Sequence, residues 1–450
     1  MTNLSLWNKY LERYAVGDKW QLNAGNTENI SQIVVIPAYA EKEMLFATLG
    51  SIADNQPSSL AETFILCVIN NKKKSPADAK INNQQTLEYL RFLVDKKSLP
   101  SLCLSDDLKR QLQLIADARL RLGYIDASSE GGELPDDAGG VGLARKIGMD
   151  NALILLKKSS ARQKLIISLD ADTLVQSNYL AAIRNGFTKK IKTAVVAYEH
   201  QEPQDNEEKA AIYCYETFLR YWRLGLQYAK SPYSYHAIGS TMICSADAYL
   251  AVRGMNRREA GEDFYFLNKL AKIGSIKYIK DTCVHPSARS SLRVPFGTGK
   301  RIHRHLNGVQ DEYLLYNPQV FEIMAAWLLL MENSFAYAAE EIVERAKLID
   351  PCLASFLKDC NFTQAWSNIR NNAKNEDKLI YQFKCWFDGF KTLKLINYLS
   401  RGYYPPVNMF TAVATILKMQ KIAVPENISF TNLPQLAEQK NILQFLRRIT

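Results

Sequence analysis

The sequence predicts an α/β protein, a sheet flanked by helices with an appended C-terminal helical region. Three observations predict it. Apolar, β-branched runs at 33–36, 64–69 and 164–169 have the length and composition of strands buried on both faces. Helix-length segments alternate with them over residues 31–200. Beyond about residue 300, long helical patterns replace the β-branched runs.

Taken in order, residues 1–30 hold an amphipathic helix, Leu6 to Tyr14, and a Gly-, Asn- and Asp-containing linker. Ile33 to Ile36 is the first strand, ended by Pro37, and a helix follows from about Glu43 to Ala53. Phe64 to Ile69 is the next strand, closed by Asn70-Asn71. Residues 72–120 are polar, with Leu87, Leu90 and Val94 at helical spacing, and form a helical insertion. Strand pattern returns at Leu122 to Ile125, before a Gly-rich acidic loop from Ser128 to Gly142. A helix from about Leu143 to Leu156 leads to the strand Lys164 to Leu169, which stops at Asp170. Ile276 to Ile279 reads as a late strand, and Val320 to Leu348 and Asp377 to Leu399 as long helices. The division expected is 1–30 as helix and linker, 31–300 as the α/β domain, and 301–450 as the helical region.

The composition bounds the function. With 47% hydrophobic and 23% charged residues in 450, the chain has average globular usage, which excludes disordered and collagen-like classes. A net charge of +10 suits anionic partners such as nucleotide diphosphates, acidic glycans or a membrane surface. No nucleic-acid-binding motif accompanies it, so no nucleic-acid partner is expected. Eight cysteines without a Cys-x-x-Cys pair suit reduced thiols, and Met1 to Tyr10 carries no secretory signal pattern. The longest apolar stretch, Ile323 to Met331, is about nine residues against the roughly twenty that span a bilayer. A cytoplasmic location, with peripheral membrane contact open, is the expectation.

The chemistry begins at Asp170-Ala171-Asp172. Two carboxylates two residues apart, just past a central strand, stand where open α/β sheets bind ligands, and their hard oxygens suit Mg2+ or Mn2+ on a diphosphate. Other segments follow in order: Ile33-Val34-Val35-Ile36-Pro37-Ala38-Tyr39-Ala40-Glu41, Gly142-Leu143-Ala144-Arg145-Lys146-Ile147-Gly148, Gly239-Ser240-Thr241-Met242-Ile243-Cys244 through Arg253-Gly254-Met255, and Gly261-Glu262-Asp263-Phe264.

Over residues 32 to 300 this series resembles the family 2 glycosyltransferases of the GT-A fold, a nucleotide-binding mixed sheet flanked by helices. The resemblance implies that Pro37, Tyr39 and Glu41 lie in the nucleoside pocket. Ala40 replaces the usual Asn of that motif, and Lys146 replaces the Asn of Ala-Arg-Asn. The second strand ends in Asn70 where the family carries an acid; an amide still hydrogen-bonds a base, and Asp126 at the next strand end is an alternative that would equally cap its loop. Arg145 is expected to reach the diphosphate or base. His285 is in the right order to join Asp170 and Asp172 in the metal shell, although lone histidines are commonly structural. Arg289 and Arg293 would grip the donor diphosphate or an anionic acceptor. The group Lys300, Arg301, His303, Arg304 and His305 reads as a solvated helix face, with acceptor binding the alternative.

The resemblance implies a metal-dependent, inverting transfer from a nucleoside diphosphate sugar to the hydroxyl of a glycan, lipid-linked or small-molecule acceptor. Asp263 would be the general base, with Glu262 its competitor, since neighbours in a helix point about 100° apart. The C-terminal helices would shape the acceptor side. A nucleotidyltransferase, or a non-catalytic sugar-nucleotide-binding protein on the same fold, is the alternative. The first lacks its Gly-rich basic signature after the first strand; the second would be favoured by loss of Asp172 or Asp263, and both are present.

Overall fold

The computed structural model describes residues 3–95, 105–188, 190–291 and 297–450. The chain forms two compact units. One comprises Met1–Gln201, Ala237–Ala288 and Arg293–Gly297; the other comprises Glu202–His236, Arg289–Leu292 and Thr298–Thr450.

The first unit is built on a nine-stranded mixed sheet. Its strands are β1 (Leu22–Ala24), β2 (Gln32–Ala38), β3 (Thr63–Asn70), β4 (Leu122–Ala127), β5 (Leu165–Ser168), β6 (Leu174–Val175), β7 (Thr193–Tyr198), β8 (Met242–Ser245) and β9 (Lys277–His285), in the spatial order β1-β4-β3-β2-β5-β8-β7-β9-β6. The run β4-β3-β2-β5 is parallel, whereas β8 is antiparallel to both β5 and β7. Every residue of β2 and β3 is buried, as their unbroken apolar sequences require. Strand order reverses at β2, so the carboxyl ends of β2 and β5 flank the crevice where such sheets take ligands.

Several elements differ from the sequence reading. β2 runs through Pro37 to Ala38, with Pro37 opposite Val68. The ladder between β2 and β5 closes at Val35 and Ser168, so the missing N–H of Pro37 points to a side where no further pairing is made. The linker contains β1, which pairs antiparallel with β4. β9 extends through a register shift to His285, which therefore sits in a strand opposite Leu174. The polar insertion folds as the helices Ala77–Asp95 and Asp106–Asp117.

The second unit is helical, with the small two-stranded pairing of β10 (Leu314–Leu315) and β11 (Val407–Asn408). It opens with the helix Asn206–Tyr228, a stretch to which the sequence reading assigned no element. The pattern 320–348 divides into Gln319–Glu332 and Ala339–Ile349. Asn333 Nδ2 and Ser334 Oγ donate to the carbonyls of Leu329 and Leu330, which ends the first helix. The pattern 377–399 divides into Glu376–Trp386 and Gly389–Gly402, because Asp388 caps the second helix through the amides of Phe390 and Lys391. The core is aromatic: Trp327 meets Phe362 and Phe383 edge-on at centroid distances of 5.5 and 5.7 Å. Arg301 and Arg304, expected on a solvated face, both pair with the buried Glu312. Among the described residues, no helix is long and apolar enough to cross a membrane.

Candidate active site

The helix Val141–Lys158 packs its first turns beneath the carboxyl ends of the central strands, and this brings Arg145 to Asp170. Arg145 is 1% exposed. Its Nη2 donates to Asp170 Oδ1 at 2.8 Å and to Glu262 Oε1 at 3.2 Å, and its Nε donates to the same Glu262 oxygen at 3.3 Å. Nη1 donates to Ser168 Oγ and, at 3.4 Å, to the carbonyl of Gly239. One guanidinium thus joins a strand end, a turn and a helix start that lie far apart in sequence.

The other oxygen of Asp170, Oδ2, accepts a 2.6 Å hydrogen bond from Ser240 Oγ. Ser240 in turn stands 2.9 Å from Thr173 Oγ1. The turn that presents Ser240 needs glycine before it: a Cβ on Gly239 would stand 2.6 Å from Arg145 Nη2 and 3.1 Å from Asp170 Oδ2. Glu262 opens the helix Glu262–Ala271, preceded by Gly261 at φ 69°, a left-handed cap conformation natural to glycine.

Glu262 and Asp263 differ in environment. Glu262 is buried with its carboxylate on Arg145, while Asp263 is half-buried and accepts from the Phe264 amide at 2.7 Å. Burial and, after it, the neighbouring Glu262 charge push the Asp263 carboxyl up to about 7, against the pull of the Phe264 amide and Arg145. Burial also raises Glu262, against the pull of Arg145. A carboxyl that titrates near neutrality beside a fixed guanidinium can take or give a proton at physiological pH.

Asp172 and His285 are brought together through their backbones. Gln201 Nε2 donates to both carbonyls, at 3.0 Å for Asp172 and 2.7 Å for His285. His285 Nδ1 lies 3.1 Å from the Glu199 carbonyl. A carbonyl only accepts, so Nδ1 carries the proton and Nε2 is the nitrogen with a lone pair in the neutral ring, the arrangement usual for a metal-binding histidine. Both residues are half-buried. Asp170, expected with them, has both oxygens on Arg145 and Ser240. Among the described residues, no three His, Cys, Asp or Glu side chains gather into a metal cage.

Of the residues expected at a nucleoside, Pro37 lies near the carboxyl end of β2, Tyr39 stands just past its end at Ala38, and Asn70 ends the adjacent β3. Ala40 takes a left-handed φ of 52° and donates its N–H to Asn83 Oδ1. Glu41 is buried at the start of the next helix. The Asn83 amide reaches the Asn70 carbonyl at 3.0 Å and Asn71 Oδ1 at 2.9 Å, so a network of amides occupies the end of β3. Asp126 caps its own loop: Oδ1 accepts from the amides of Ser128 and Ser129, and Oδ2 from Ser129 Oγ at 2.6 Å. Burial acts to raise its pKa, but these Ser129 and Ser128 hydrogen bonds outweigh it and lower it. Arg289 falls in the helical unit, and Arg293 lies outside the described residues.

Ser168 and Gln201 join the site without having been singled out for it, whereas Gly239 and Ser240 open one of the blocks that carry the sequence resemblance. Gly239-Ser240 was visible as a glycine beside a small hydroxyl; Gln201 gave no signal.

No protein-family model matches this sequence, and no curated protein matches it. Among solved structures, the chain is similar to the mannosyltransferase PcManGT from Pyrobaculum calidifontis in complex with GDP-Man and Mn2+, at 11% identity and a TM-score of 0.37, over 99% of this chain and 93% of that one. It is also similar to S. aureus TarS 1-349 in complex with UDP-GlcNAc, at 13% identity and a TM-score of 0.34, over 84% of this chain and 93% of that one. Likeness of this degree assigns no activity, so the functional reading rests on the residues of the site.

Proposed function

We propose that this chain transfers a sugar from a nucleoside diphosphate donor to a hydroxyl acceptor by a single inverting displacement, with residues 31–300 as a GT-A catalytic domain. The observation that carries the reading is the convergence of Asp170 and Glu262 on one buried guanidinium beyond the carboxyl end of β5, with Asp263 beside them within reach of its charge. Asp263 is the general base. It is the carboxyl of the pair that Arg145 does not hold, and its raised pKa suits a group that must take a proton near neutral pH.

Pro37, Tyr39, Glu41 and Asn70 hold the nucleoside along the ends of β2 and β3. Strands stand about 4.8 Å apart, so Asn70 on β3 and Asp170 beyond β5 are separated by roughly two strand spacings, a span that suits a nucleoside laid with its diphosphate toward Asp170. A divalent cation would be held by Asp172 and His285, whose backbones Gln201 ties together and whose oxygen and nitrogen donors suit Mn2+ or Mg2+. Such an ion would neutralise charge on the leaving diphosphate. Asp170 then acts from behind, fixed by Arg145 and Ser240.

The test is a panel of nucleoside diphosphate sugars incubated with the purified chain and Mn2+ or Mg2+, with release of nucleoside diphosphate as the signal. Metal-dependent release from one donor class is expected. Binding of a donor without release or transfer, with every hydroxyl acceptor class supplied, would favour a non-catalytic binding protein.

A further inference from the structure

We infer that Arg145 is a positioning residue of the transfer site and not a ligand of the donor. The inference rests on the transferase reading but reverses what the sequence resemblance implies for this residue. The guanidinium is 1% exposed, and all three of its nitrogens donate to protein oxygens. Its acceptors come from three segments: Ser168 and Asp170 at the end of β5, Gly239 in the turn that leads into β8, and Glu262 at a helix start.

Two carboxylates, Asp170 and Glu262, share one Nη2. Without the cation between them they repel. The spacing between the donor-side aspartates and Asp263, one residue beyond Glu262, therefore depends on Arg145. A planar guanidinium can serve acceptors on several sides at once, whereas lysine offers a single point charge. The glycine at 239 belongs to the same device, since any Cβ there would occupy the place of Nη2.

The experiment compares Arg145→Lys, Arg145→Ala and Glu262→Gln with the wild-type full chain. Three quantities are read: turnover per folded molecule, affinity for UDP and GDP with Mn2+ by calorimetry, and thermal unfolding. A positioning role predicts that Arg145→Lys lowers kcat at least about thirtyfold while the affinity of whichever diphosphate binds stays within about threefold. Guanidinium chloride at low millimolar concentration should restore part of the activity of Arg145→Ala, by about fivefold or more, and should do nothing for wild type. Should Arg145→Ala fail to fold, Arg145→Lys and Glu262→Gln carry the test, since each preserves most of the volume.

Two results would overturn the inference. Diphosphate affinity falling as far as kcat would make Arg145 a donor ligand, and unchanged kcat per folded molecule with a lowered unfolding temperature would make it a structural residue only. If wild type transfers from no donor, the transferase reading fails separately. The affinities still decide whether Arg145 touches the nucleotide.

Discussion

Arg145 and Lys146 are consecutive residues of one helix, yet they serve two buried polar clusters of opposite character. Lys146 pairs with Asp150 at 3.0 Å, and Asp150 also accepts from Tyr10 at 2.6 Å, Tyr249 at 2.7 Å and the Val16 amide at 2.9 Å. That cluster pairs one cation with one anion, with the positive charge of Arg257 also acting on Lys146 and Tyr10, and ties the N-terminal helix, which contributes Tyr10, to the sheet unit. Around Arg145 there are two paired carboxylates and a third nearby for one guanidinium; burial raises Asp263, and the neighbouring Glu262 charge adds to it. A cluster whose single carboxylate is paired and fully hydrogen-bonded closes on itself and stabilises; one that buries a further acid beside those its cation holds keeps a proton exchangeable near neutrality. The contrast separates a brace from a reaction centre where burial alone would not.

The largest expected effect separates the two clusters directly. Asp263→Asn should lower kcat by at least about a hundredfold with little change in donor affinity or stability. Asp150→Asn should do the reverse. It leaves Lys146 buried without its counter-charge and should cost about 3–5 kcal/mol in denaturant unfolding, while folded molecules keep their turnover. Equal catalytic losses in both variants would erase the distinction.

Metal dependence comes next in size. Asp172→Asn should raise the Mn2+ concentration needed for half-maximal activity at least about tenfold, with the unfolding midpoint unchanged. The same metal dependence in variant and wild type would remove Asp172 from the metal. Gly239→Ala should reduce kcat by about ten- to a hundredfold, because the new methyl displaces Arg145 from Asp170. The smallest effect belongs to the rim: Lys72 pairs with Glu259 at 2.5 Å on a partly exposed surface, and Lys72→Met should change stability by less than about 1 kcal/mol.

Much of this was legible in the sequence because it is local. Apolar runs marked β2, β3 and β5, and the stop of the last one placed Asp170 at the ligand edge. Glu262-Asp263 at a helix start was equally plain. The sequence could not show that Arg145 would be enclosed by both, since contacts between residues 145, 170, 239 and 262 are made only when separate segments pack. Lys146 and Asp150, at i and i+4, did carry a local signal for the second cluster. β1 and β6, of three and two residues, are too short to show a period. The breaks at Asn333-Ser334 and Asp388-Gly389 were written in capping residues that apolar periodicity passes over.

The pH dependence of turnover tests the central claim most directly. Asp263 must be ionised to accept a proton, and burial has raised its pKa to about 7. The account therefore predicts that log kcat falls with unit slope as pH drops below about 7 and levels above it, under saturating donor, acceptor and metal. The stability sign runs the other way. The folded carboxyl binds its proton more tightly than the unfolded one, whose ordinary value is 3.8, so its contribution to stability is full at low pH and is lost as pH rises from about 4 through about 7. Turnover that rises through a midpoint near 7 while this stability contribution declines supports Asp263 as the base. Turnover that stays flat from about pH 5 to about pH 9, with the chain folded throughout, would contradict it.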